Sequence, residues 1–168
     1  MVIRAAVSED LANIAELYVS NHRSTYQGLL SDDYLDALTV SYALEKWEQQ
    51  LNSADSKILV ACQDDSFLGF AAFMPDPDLK QTWYLESLQV AEKARGKGIG
   101  TVLIHAGAQI AEQAGFHKMS VCIVRGNNHA ADLYKKLGAV HYSFFEDDFC
   151  GTVSSSEKLV WHKLPTEQ

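Results

Sequence analysis

Residues 84–116 read YLESLQVAEKARGKGIGTVLIHAGAQIAEQAGF. The side chains of residues 85–90 alternate between two faces, which is the spacing of a β-strand. Three small residues, Gly96, Gly98 and Gly100, then interrupt the chain. Beyond them apolar residues recur every three or four positions, which is typical of one buried face of a helix. The stretch therefore predicts a strand, a glycine-rich loop and a helix in that order.

The predicted junction between strand and helix has the properties of an anion site. The first amides of a helix have no partner within it, and the helix dipole puts positive potential there. Glycine lets a phosphate lie against bare backbone. Arg95 and Lys97 add two mobile cations to the same loop. We therefore expect a phosphorylated ligand at this loop.

The spacing of the glycines narrows the class of ligand. The dinucleotide fingerprint needs G-x-G-x-x-G and an acidic residue after the next strand, but here the pattern is G-x-G-x-G and that strand ends at Arg125. The nucleotide-triphosphate loop is absent from the sequence. The remaining pattern, R-x-x-G-x-G over residues 95–100, resembles the acyl-CoA pyrophosphate loop of the GCN5-related N-acetyltransferase (GNAT) superfamily. A tight turn that needs glycine only for its conformation is the plainer alternative.

A second stretch, at residues 127–139, reads NNHAADLYKKLGA. It resembles the GNAT motif N-x-x-A-x-x-L-Y-x-x-x-G-F. The positions in register are Asn127, Ala130, Leu133, Tyr134 and Gly138. Ala139 stands where the family usually has an aromatic residue, a departure that concerns packing behind the helix. Two motifs in the right order are far more specific than either alone.

The resemblance implies a fold and a co-substrate. The fold is α/β (α+β), a GNAT-like three-layer domain over residues 1–168 with a mixed, mostly antiparallel sheet and helices on both faces. The co-substrate is acetyl-CoA, without a metal. In the family, the strand before the loop splays from its neighbour at a bulge, and the open edge binds pantetheine. Here the resemblance assigns cofactor binding to Leu88, Gln89 and Val90 on that edge, to Arg95, Gly96, Lys97, Gly98, Ile99, Gly100 and Thr101 around the pyrophosphate, and to Asn127 beside the pantetheine arm.

Tyr134 and Glu86 are the expected catalytic residues. A base must take the proton of the attacking amine, and an acid must supply the leaving sulfur. The resemblance puts Tyr134 near that sulfur, and a phenol pKa of about 10 lies just above a thiol pKa of about 8.5, so we expect Tyr134 to be the acid. Glu86 is the expected base, directly or through a water, because strand spacing puts its side chain on the face of Leu88 and Val90. A core tyrosine and a salt-bridged carboxylate are the alternatives.

The acceptor side is expected near the N-terminus. Residues 21–36, NHRSTYQGLLSDDYLD, resemble the T-Y-R-G-L-L-P-x-x-Y-L-D signature of one bacterial branch of the superfamily, with Gln27 and Ser31 replacing the usual Arg and Pro. In GNAT folds this segment closes over the acceptor. Tyr26 is therefore an expected substrate-binding residue, and Trp83 and Tyr84 join it at the mouth of the central strand. Loop packing is the alternative for Tyr26.

Composition limits the partners. The net charge of −8 and pI near 5.1 argue against a broad nucleic-acid footprint and weakly favour a cationic or amine substrate. Cys62, Cys122 and Cys150 have neither a disulfide framework nor a metal-ligand spacing, which suits a reducing cytoplasm. No signal peptide or membrane-spanning apolar run is visible, so no membrane partner is expected.

The rest of the chain predicts one three-layer domain. Ser8 is a plausible N-cap for a helix with a face at residues 11–18, and Ser31 caps a second, short helix. A helix over residues 42–51 aligns Leu44 with Trp47. Turn-forming residues 63–66 predict a hairpin. The last two strands, residues 140–145 and 152–164, are expected to flank an acidic tip at residues 146–148.

The predicted function is an acetyl-CoA-dependent N-acetyltransferase in which a primary amine attacks directly within a ternary complex. A non-catalytic acyl-CoA-binding sensor is the alternative, and an O-acetyltransferase or a longer acyl donor also stays open. The acceptor, a small-molecule amine or a protein N-terminus or lysine, is not determined by the sequence. The oligomeric state is open as well, although a homodimer through the last strands is a habit of the family.

Overall fold

The computed structural model describes residues 1–149 and 151–167, so Cys150 lies outside the described residues. The strands are β1 (Val2–Ala5), β2 (Lys57–Gln63), β3 (Ser66–Pro75), β4 (Thr82–Val90), β5 (Lys118–Val124), β6 (Val140–Phe149) and β7 (Thr152–Trp161). The helices are α1 (Leu11–Tyr26), α2 (Asp32–Ala37), α3 (Val40–Leu51), α4 (Ile99–Gln113) and α5 (Asn128–Lys136).

All strands join one seven-stranded sheet in the order β1-β2-β3-β4-β5-β7-β6. Only β4 and β5 pair in parallel, and the other neighbouring strands are antiparallel. The mixed, mostly antiparallel sheet is as the sequence predicted. The β2–β3 hairpin is also confirmed: Asp64 and Asp65 form its turn with φ of 48° and 60°, values that match the twist of a two-residue hairpin.

Helices cover both faces of the sheet, and each face has its own core. On the side that we call the α4 face, Leu103 and Ile104 of α4 pack with Phe73 and Trp161 of the sheet. On the opposite side, the α1 face, α1 and α3 pack on β2 and β3; its core includes Ile14, Trp47, Val60 and Phe70. The three-layer arrangement is therefore confirmed. Within the described residues, no helix is long and apolar enough to cross a membrane.

The start of α1 differs from the sequence prediction. Ser8 is not an N-cap, because Ser8–Asp10 form a 3₁₀ turn that leads into α1. The Asp10 carboxylate accepts a hydrogen bond from the Val7 amide at 2.8 Å and pairs with Arg4 at 2.8 Å. Because Asp10 satisfies this end of the chain, the Ser8 side chain is not needed there. Ser31 does cap α2, accepting from the Tyr34 amide at 3.2 Å.

Two other local predictions were wrong. In α3, Trp47 and Leu51 of the predicted stripe pack on the core, but Ala43 takes the inward position beside them and Leu44 is exposed at the edge of the stripe. Residues 146–148 are not a tip: they continue β6 and pair with residues 153–155 of β7. Cross-strand pairing with a partner of similar length extends the strand through the acidic residues.

Candidate active site

Strand β4 leaves its neighbour β5 halfway along its length. The parallel ladder between them ends at Leu85 and Val121. On the other side, Phe73 of β3 pairs with Leu85 but Ala72 pairs with Ser87, so Glu86 is an extra residue in β4. An extra residue of this kind is a β-bulge, which bends the strand and raises its twist. The splay and bulge that the family resemblance implied are both present, and Glu86 marks the point of separation.

On the edge of β4 that faces the splay, the backbone amides and carbonyls of every second residue point toward the opening. The Ala91 amide bonds to the Leu68 carbonyl of β3 at 2.8 Å, which makes these two residues a hydrogen-bonded pair. Hydrogen-bonded and non-hydrogen-bonded pairs alternate in an antiparallel ladder. Val90 and Leu88 are non-hydrogen-bonded partners of β3, so their amides and carbonyls point toward the open side. The backbone of Leu88 and Val90 therefore forms the open edge that the sequence predicted.

The glycine loop leads directly into the N-terminus of α4. Gly96 and Gly98 have φ of 74° and 78°, which L side chains adopt with strain, and Gly98 is the N-cap of α4. The helical ladder starts with the Val102 amide, which donates to the Gly98 carbonyl at 3.1 Å. The amides of residues 99–101 precede that bond and have no helical acceptor. The positive end of α4 is thus available to an anion.

The side chains of the loop divide into exposed and packed groups. Arg95 and Lys97 are exposed, whereas the Ile99 side chain is buried in the core and Thr101 is half-buried. A Cβ added to Gly100 would lie 3.5 Å from the side chains of Leu88 and Leu133. These are ordinary contact distances, so Gly100 packs against β4 and α5 without needing the absence of a side chain. Ile99 contributes its backbone, not its side chain, to the anion site.

A hydrogen-bond network that the sequence analysis missed ties α1 to the loop. The Asn21 Nδ2 group donates to Gln89 Oε1 at 3.0 Å and to the Val90 carbonyl at 3.2 Å. Arg95 donates from Nη2 to Asn21 Oδ1 at 2.9 Å and from Nε to the Val90 carbonyl at 3.3 Å. The side-chain amide of Gln89 also donates, from Nε2, to Ser87 Oγ at 3.1 Å. The Gln89 side chain therefore supports the edge from the α1 face.

Tyr134, Tyr26 and Asn127 come together at the far side of the splay. The Tyr134 ring packs edge-to-face on Trp161 at 5.8 Å and is 6% exposed. Burial raises the pKa of the Tyr134 hydroxyl, and the neighbouring Tyr26 adds to the rise. Burial also raises the pKa of Tyr26, and a side-chain hydrogen bond with Asn127 opposes that rise. Asn127 caps α5, accepting from the Ala130 amide at 3.5 Å.

The segment between α1 and α2 lies over the turn that precedes α5. Gly126 has φ of 101°, and a Cβ there would approach the Leu29 side chain to 2.9 Å. The rings of Tyr34 in α2 and Phe149 in β6 meet edge-to-face at 5.2 Å. Residues 27–34 therefore lie against the turn before α5 and the end of β6.

Glu86 does not share the face of Leu88 and Val90, so that part of the sequence prediction was wrong. Leu88 and Val90 pack into the core of the α4 face. Glu86 points to the α1 face, where its Oε1 atom lies 2.6 Å from Lys46 Nζ of α3. The bulge breaks the period-2 alternation on which the prediction relied. Glu86 Oε2 is buried and finds no hydrogen-bond partner within residues 1–149 and 151–167.

Trp83 and Tyr84 lie on opposite faces of β4. Trp83 is 4% exposed and belongs to the α4-face core, where its ring lies parallel to Phe73 at 6.1 Å and contacts Phe116 at 4.9 Å. The expectation that Trp83 lines the acceptor mouth was therefore wrong, because α4 and Phe116 cover this face of β4. Tyr84 points to the α1 face beside Cys122 and Glu86, and burial raises the pKa of its hydroxyl.

The match to known proteins covers both the loop and the splay. Residues 12–139 match the model of the acetyltransferase (GNAT) family. The chain belongs to this family. Most of the site described above, from Asn21 to Tyr134, falls within the matched residues. Its relatives carry the names of acetyltransferases, and together with the family match they identify the chain as an N-acetyltransferase.

Individual relatives cover most of the GNAT domain. The uncharacterized N-acetyltransferase YuaI of Bacillus subtilis (strain 168) is 30% identical over 131 residues, 76% of this chain and 73% of the relative. Streptothricin acetyltransferase of Streptomyces lavendulae is 29% identical over 112 residues, 67% of this chain and 59% of the relative. The structure of YncA from Salmonella typhimurium with acetyl-CoA superposes with a TM-score of 0.74 at 22% identity, covering 100% of this chain and 96% of that one. At that identity the likeness establishes the GNAT fold.

The GNAT site has the shape that an acyl-CoA requires. Positions where a Cβ would stand on Gly96 and Gly98 have no heavy atom within 4 Å, so a diphosphate can reach the backbone there. The residues that would hold it are the amides of the loop and of the first turn of α4, with Arg95 and Lys97 beside them. The open edge at Leu88 and Val90 continues from this point to the bulge at Glu86. The residues present fit the ligand that the sequence predicted.

Proposed function

We propose that this GNAT enzyme transfers an acetyl group from acetyl-CoA to a primary amine by direct attack in a ternary complex, without a covalent enzyme intermediate. The observation that carries the proposal is a continuous track in β4 and α4. It begins at the Glu86 bulge, follows the open edge of Leu88 and Val90, and ends at the free amides of α4. The amide groups of pantetheine match the open strand edge, and the diphosphate of CoA matches the free helix amides at its end.

Acetyl-CoA supplies the activated acyl group as a thioester. The amides of residues 98–101 would neutralise its diphosphate, helped by the helix dipole and by the exposed cations Arg95 and Lys97. The amide of Val90 and the amide and carbonyl of Leu88 would bind the pantetheine arm, because the Val90 carbonyl already accepts from Asn21 and Arg95. Asn127 would approach the arm from the other wall. YncA, which shares the fold, was crystallised with acetyl-CoA, and this supports the choice of co-substrate.

Glu86 and Tyr134 are the groups that we assign to proton handling. Glu86 Oε2 has no donor among the described residues and can accept a proton from an amine that reaches the bulge, directly or through a water. The raised pKa of Tyr134 keeps its hydroxyl protonated throughout an ordinary assay range. Because complete transfer from so weak an acid is costly, the hydroxyl stabilises the leaving thiolate chiefly as a hydrogen-bond donor.

The acceptor would bind on the α1 face, between the splay and the segment that covers it. Tyr26 and Tyr84 lie on this side, and Asp147 is close enough to Cys122 to raise the pKa of that thiol together with burial. Carboxylates at Glu86 and Asp147 favour an ammonium group over an anion. A small-molecule amine, a protein N-terminus and a protein lysine all have this chemistry.

One observation favours the alternative of a sensor that binds acyl-CoA without turnover. The Lys46 ammonium occupies one oxygen of Glu86, so only Oε2 is left for an acceptor amine. The two functions differ in one measurable respect. A sensor binds acetyl-CoA tightly but releases no CoA with any amine, whereas an acetyltransferase releases CoA in step with an acceptor.

The test is calorimetric titration of acetyl-CoA beside CoA release with an amine panel. The panel holds an alkyl diamine, a polyamine, a lysine peptide and a peptide with a free N-terminus. We expect binding and CoA release with at least one amine. Replacing Asn13, an exposed residue of α1 outside the assigned groups, by Ala serves as a control that should leave both unchanged. Binding without release on the whole panel would favour the sensor, and no binding would remove both functions.

We also propose that residues 1–168 act as one N-acetyltransferase domain in a reducing cytoplasm, and that it forms a homodimer through β6. Cys62 and Cys122 are free, which suits that compartment.

The dimer proposal rests on the exposed apolar side chains of β6. The exposed fractions are 46% for Val140, 52% for Tyr142 and 57% for Phe144, an amount of apolar surface that a partner strand or sheet would cover. Sedimentation of the protein and its Phe144→Ser variant tests the dimer, which should dissociate more readily in the variant.

A further inference from the structure

Lys46 places an amine of the protein itself on the carboxylate that we assign as the base. Its Nζ atom lies 2.6 Å from Glu86 Oε1, and the contact joins α3 to the bulge of β4. An external acceptor must bring its nitrogen to the same carboxylate to lose a proton. Lys46 Nζ therefore stands where the nitrogen of an acceptor is required.

The surroundings of the pair leave it accessible from solvent. The side chains of Lys46 and Glu86 are 25% and 20% exposed, so neither is sealed in the core. Both line an open cavity of about 400 Å³ between α3 and the end of β3, together with Met74. The Lys46 ammonium also lies 4.7 Å from the centre of the Trp47 ring, a cation–π contact that it makes together with the ion pair.

We propose that Lys46 is an internal acceptor, so that the enzyme acetylates its own Lys46 when acetyl-CoA is bound and no external amine competes. This inference rests on the proposed function. The Lys46 ammonium gives a proton to Glu86, and its nitrogen then attacks the thioester carbonyl carbon. The N–C bond forms and the C–S bond breaks, and CoA leaves as a thiolate that Tyr134 stabilises. Glu86 passes this first proton to solvent and takes the second from the attacking nitrogen, which leaves a neutral amide. The thiolate takes one proton from solvent, so one proton is released for each acetyl group transferred.

The product would change the state of the site. An acetylated lysine has no charge, so it cannot keep the ion pair with Glu86. The carboxylate then becomes available to an external amine. Self-acetylation would thus occur once per molecule and would convert a base that is held by Lys46 into one that is free.

Selectivity separates this reaction from passive chemical acetylation. Passive modification favours exposed amines, and Lys135 offers a matched comparison: it also faces a carboxylate, Glu157 at 3.9 Å, but its side chain is 51% exposed. Passive chemistry should modify Lys135 before Lys46. A reaction that uses Glu86 and the bound thioester should modify Lys46 first.

The experiment incubates the full chain with acetyl-CoA and no amine, and follows it by intact mass and peptide mapping. We expect one acetyl group, on Lys46, with a rate constant that does not depend on protein concentration. Lys46→Arg should abolish this product because arginine keeps the charge but does not accept the acetyl group. Glu86→Gln should slow it about 100-fold. Lys135→Arg should leave the rate unchanged.

Three results would overturn the inference, and they are distinguishable. If the enzyme releases CoA with an external amine while Lys46 stays unmodified, the inference fails and the proposed function stands. If Lys135 is acetylated as fast as Lys46 and Glu86→Gln has no effect, the modification is passive. If acetyl-CoA does not bind and no amine elicits CoA release, the proposed function and the inference fail together.

Discussion

Asn21 Oδ1 accepts a hydrogen bond from Arg95 Nη2 at 2.9 Å, and this contact joins α1 to the phosphate-binding loop. The same guanidinium donates from Nε to the Val90 carbonyl, where Asn21 Nδ2 also donates. Asn21 is 7% exposed, so it is a fixed anchor. A guanidinium has five N–H groups, and the remaining ones are left to meet a phosphate. Asn21 is therefore a positioning residue for Arg95.

We expect Asn21→Ala to weaken acetyl-CoA binding about tenfold, because Arg95 must then be ordered when the ligand arrives. Calorimetric titration measures the change. Asn13→Ala, an exposed substitution of the same type on α1, is the matched control and should bind normally. Combining Asn21→Ala with Arg95→Gln should add little to the effect of Arg95→Gln alone. A full further tenfold loss in the double variant would show that Asn21 does not act through Arg95.

Gly98→Ala and Gly115→Ala separate backbone strain from ligand binding. Both glycines have positive φ, 78° and 86°, and no heavy atom lies within 4 Å of the position that a Cβ would take at either residue. Each substitution should cost about 1 kcal/mol of unfolding free energy through left-handed strain. Only Gly98 stands at the N-terminus of α4, so only Gly98→Ala should abolish acetyl-CoA binding. Chemical denaturation and calorimetry give the two quantities, and normal binding by Gly98→Ala would refute the assigned anion site.

Tyr134→Phe should lower kcat about 100-fold and leave acetyl-CoA affinity nearly unchanged, since only a hydroxyl is removed. Burial raises the pKa of Tyr134, so the hydroxyl stays protonated as pH rises through the usual assay range. The wild-type rate should therefore show no alkaline loss from this residue below about pH 10. Steady-state rates against pH, beside binding constants, test this. An unchanged kcat in the variant would remove Tyr134 from the mechanism.

Asp76 and Lys158 form a buried ion pair at 2.7 Å, with side chains 0% and 10% exposed. Burial alone would raise the pKa of Asp76, but hydrogen bonds from Lys158, Ser120 and two loop amides outweigh it and lower that pKa. The pair therefore stabilises the fold above about pH 4, and this contribution is lost as pH falls through the lowered pKa.

Asp76→Asn should consequently lower the free energy of unfolding by about 3–5 kcal/mol near neutral pH, because Lys158 keeps a buried charge without a partner. Urea denaturation at several pH values measures it. Asp55→Asn, at an exposed turn, should change stability little. The gap between wild type and Asp76→Asn should narrow below pH 4. A gap that stays constant on acidification would contradict the assigned role of the ion pair.

The elements that the sequence predicted well are those with a local pattern. The glycine loop, the start of α4 and the α5 motif with Tyr134 all carry their signal within a few neighbouring residues. Glu86 was assigned to the wrong face because a bulge depends on pairing with β3, which leaves no mark in β4 itself. The contacts of Glu86 with Lys46 and of Asn21 with Arg95 join residues 40 and 74 positions apart, so no local spacing indicates them.

A crystal structure of the protein with acetyl-CoA is the sharpest test of the proposed site. We expect the diphosphate on the amides of residues 98–101, the pantetheine arm along Leu88 and Val90, and the thioester between Glu86 and the Tyr134 hydroxyl. A ligand bound away from the β4 edge, or a Tyr134 hydroxyl that points away from the sulfur, would contradict it.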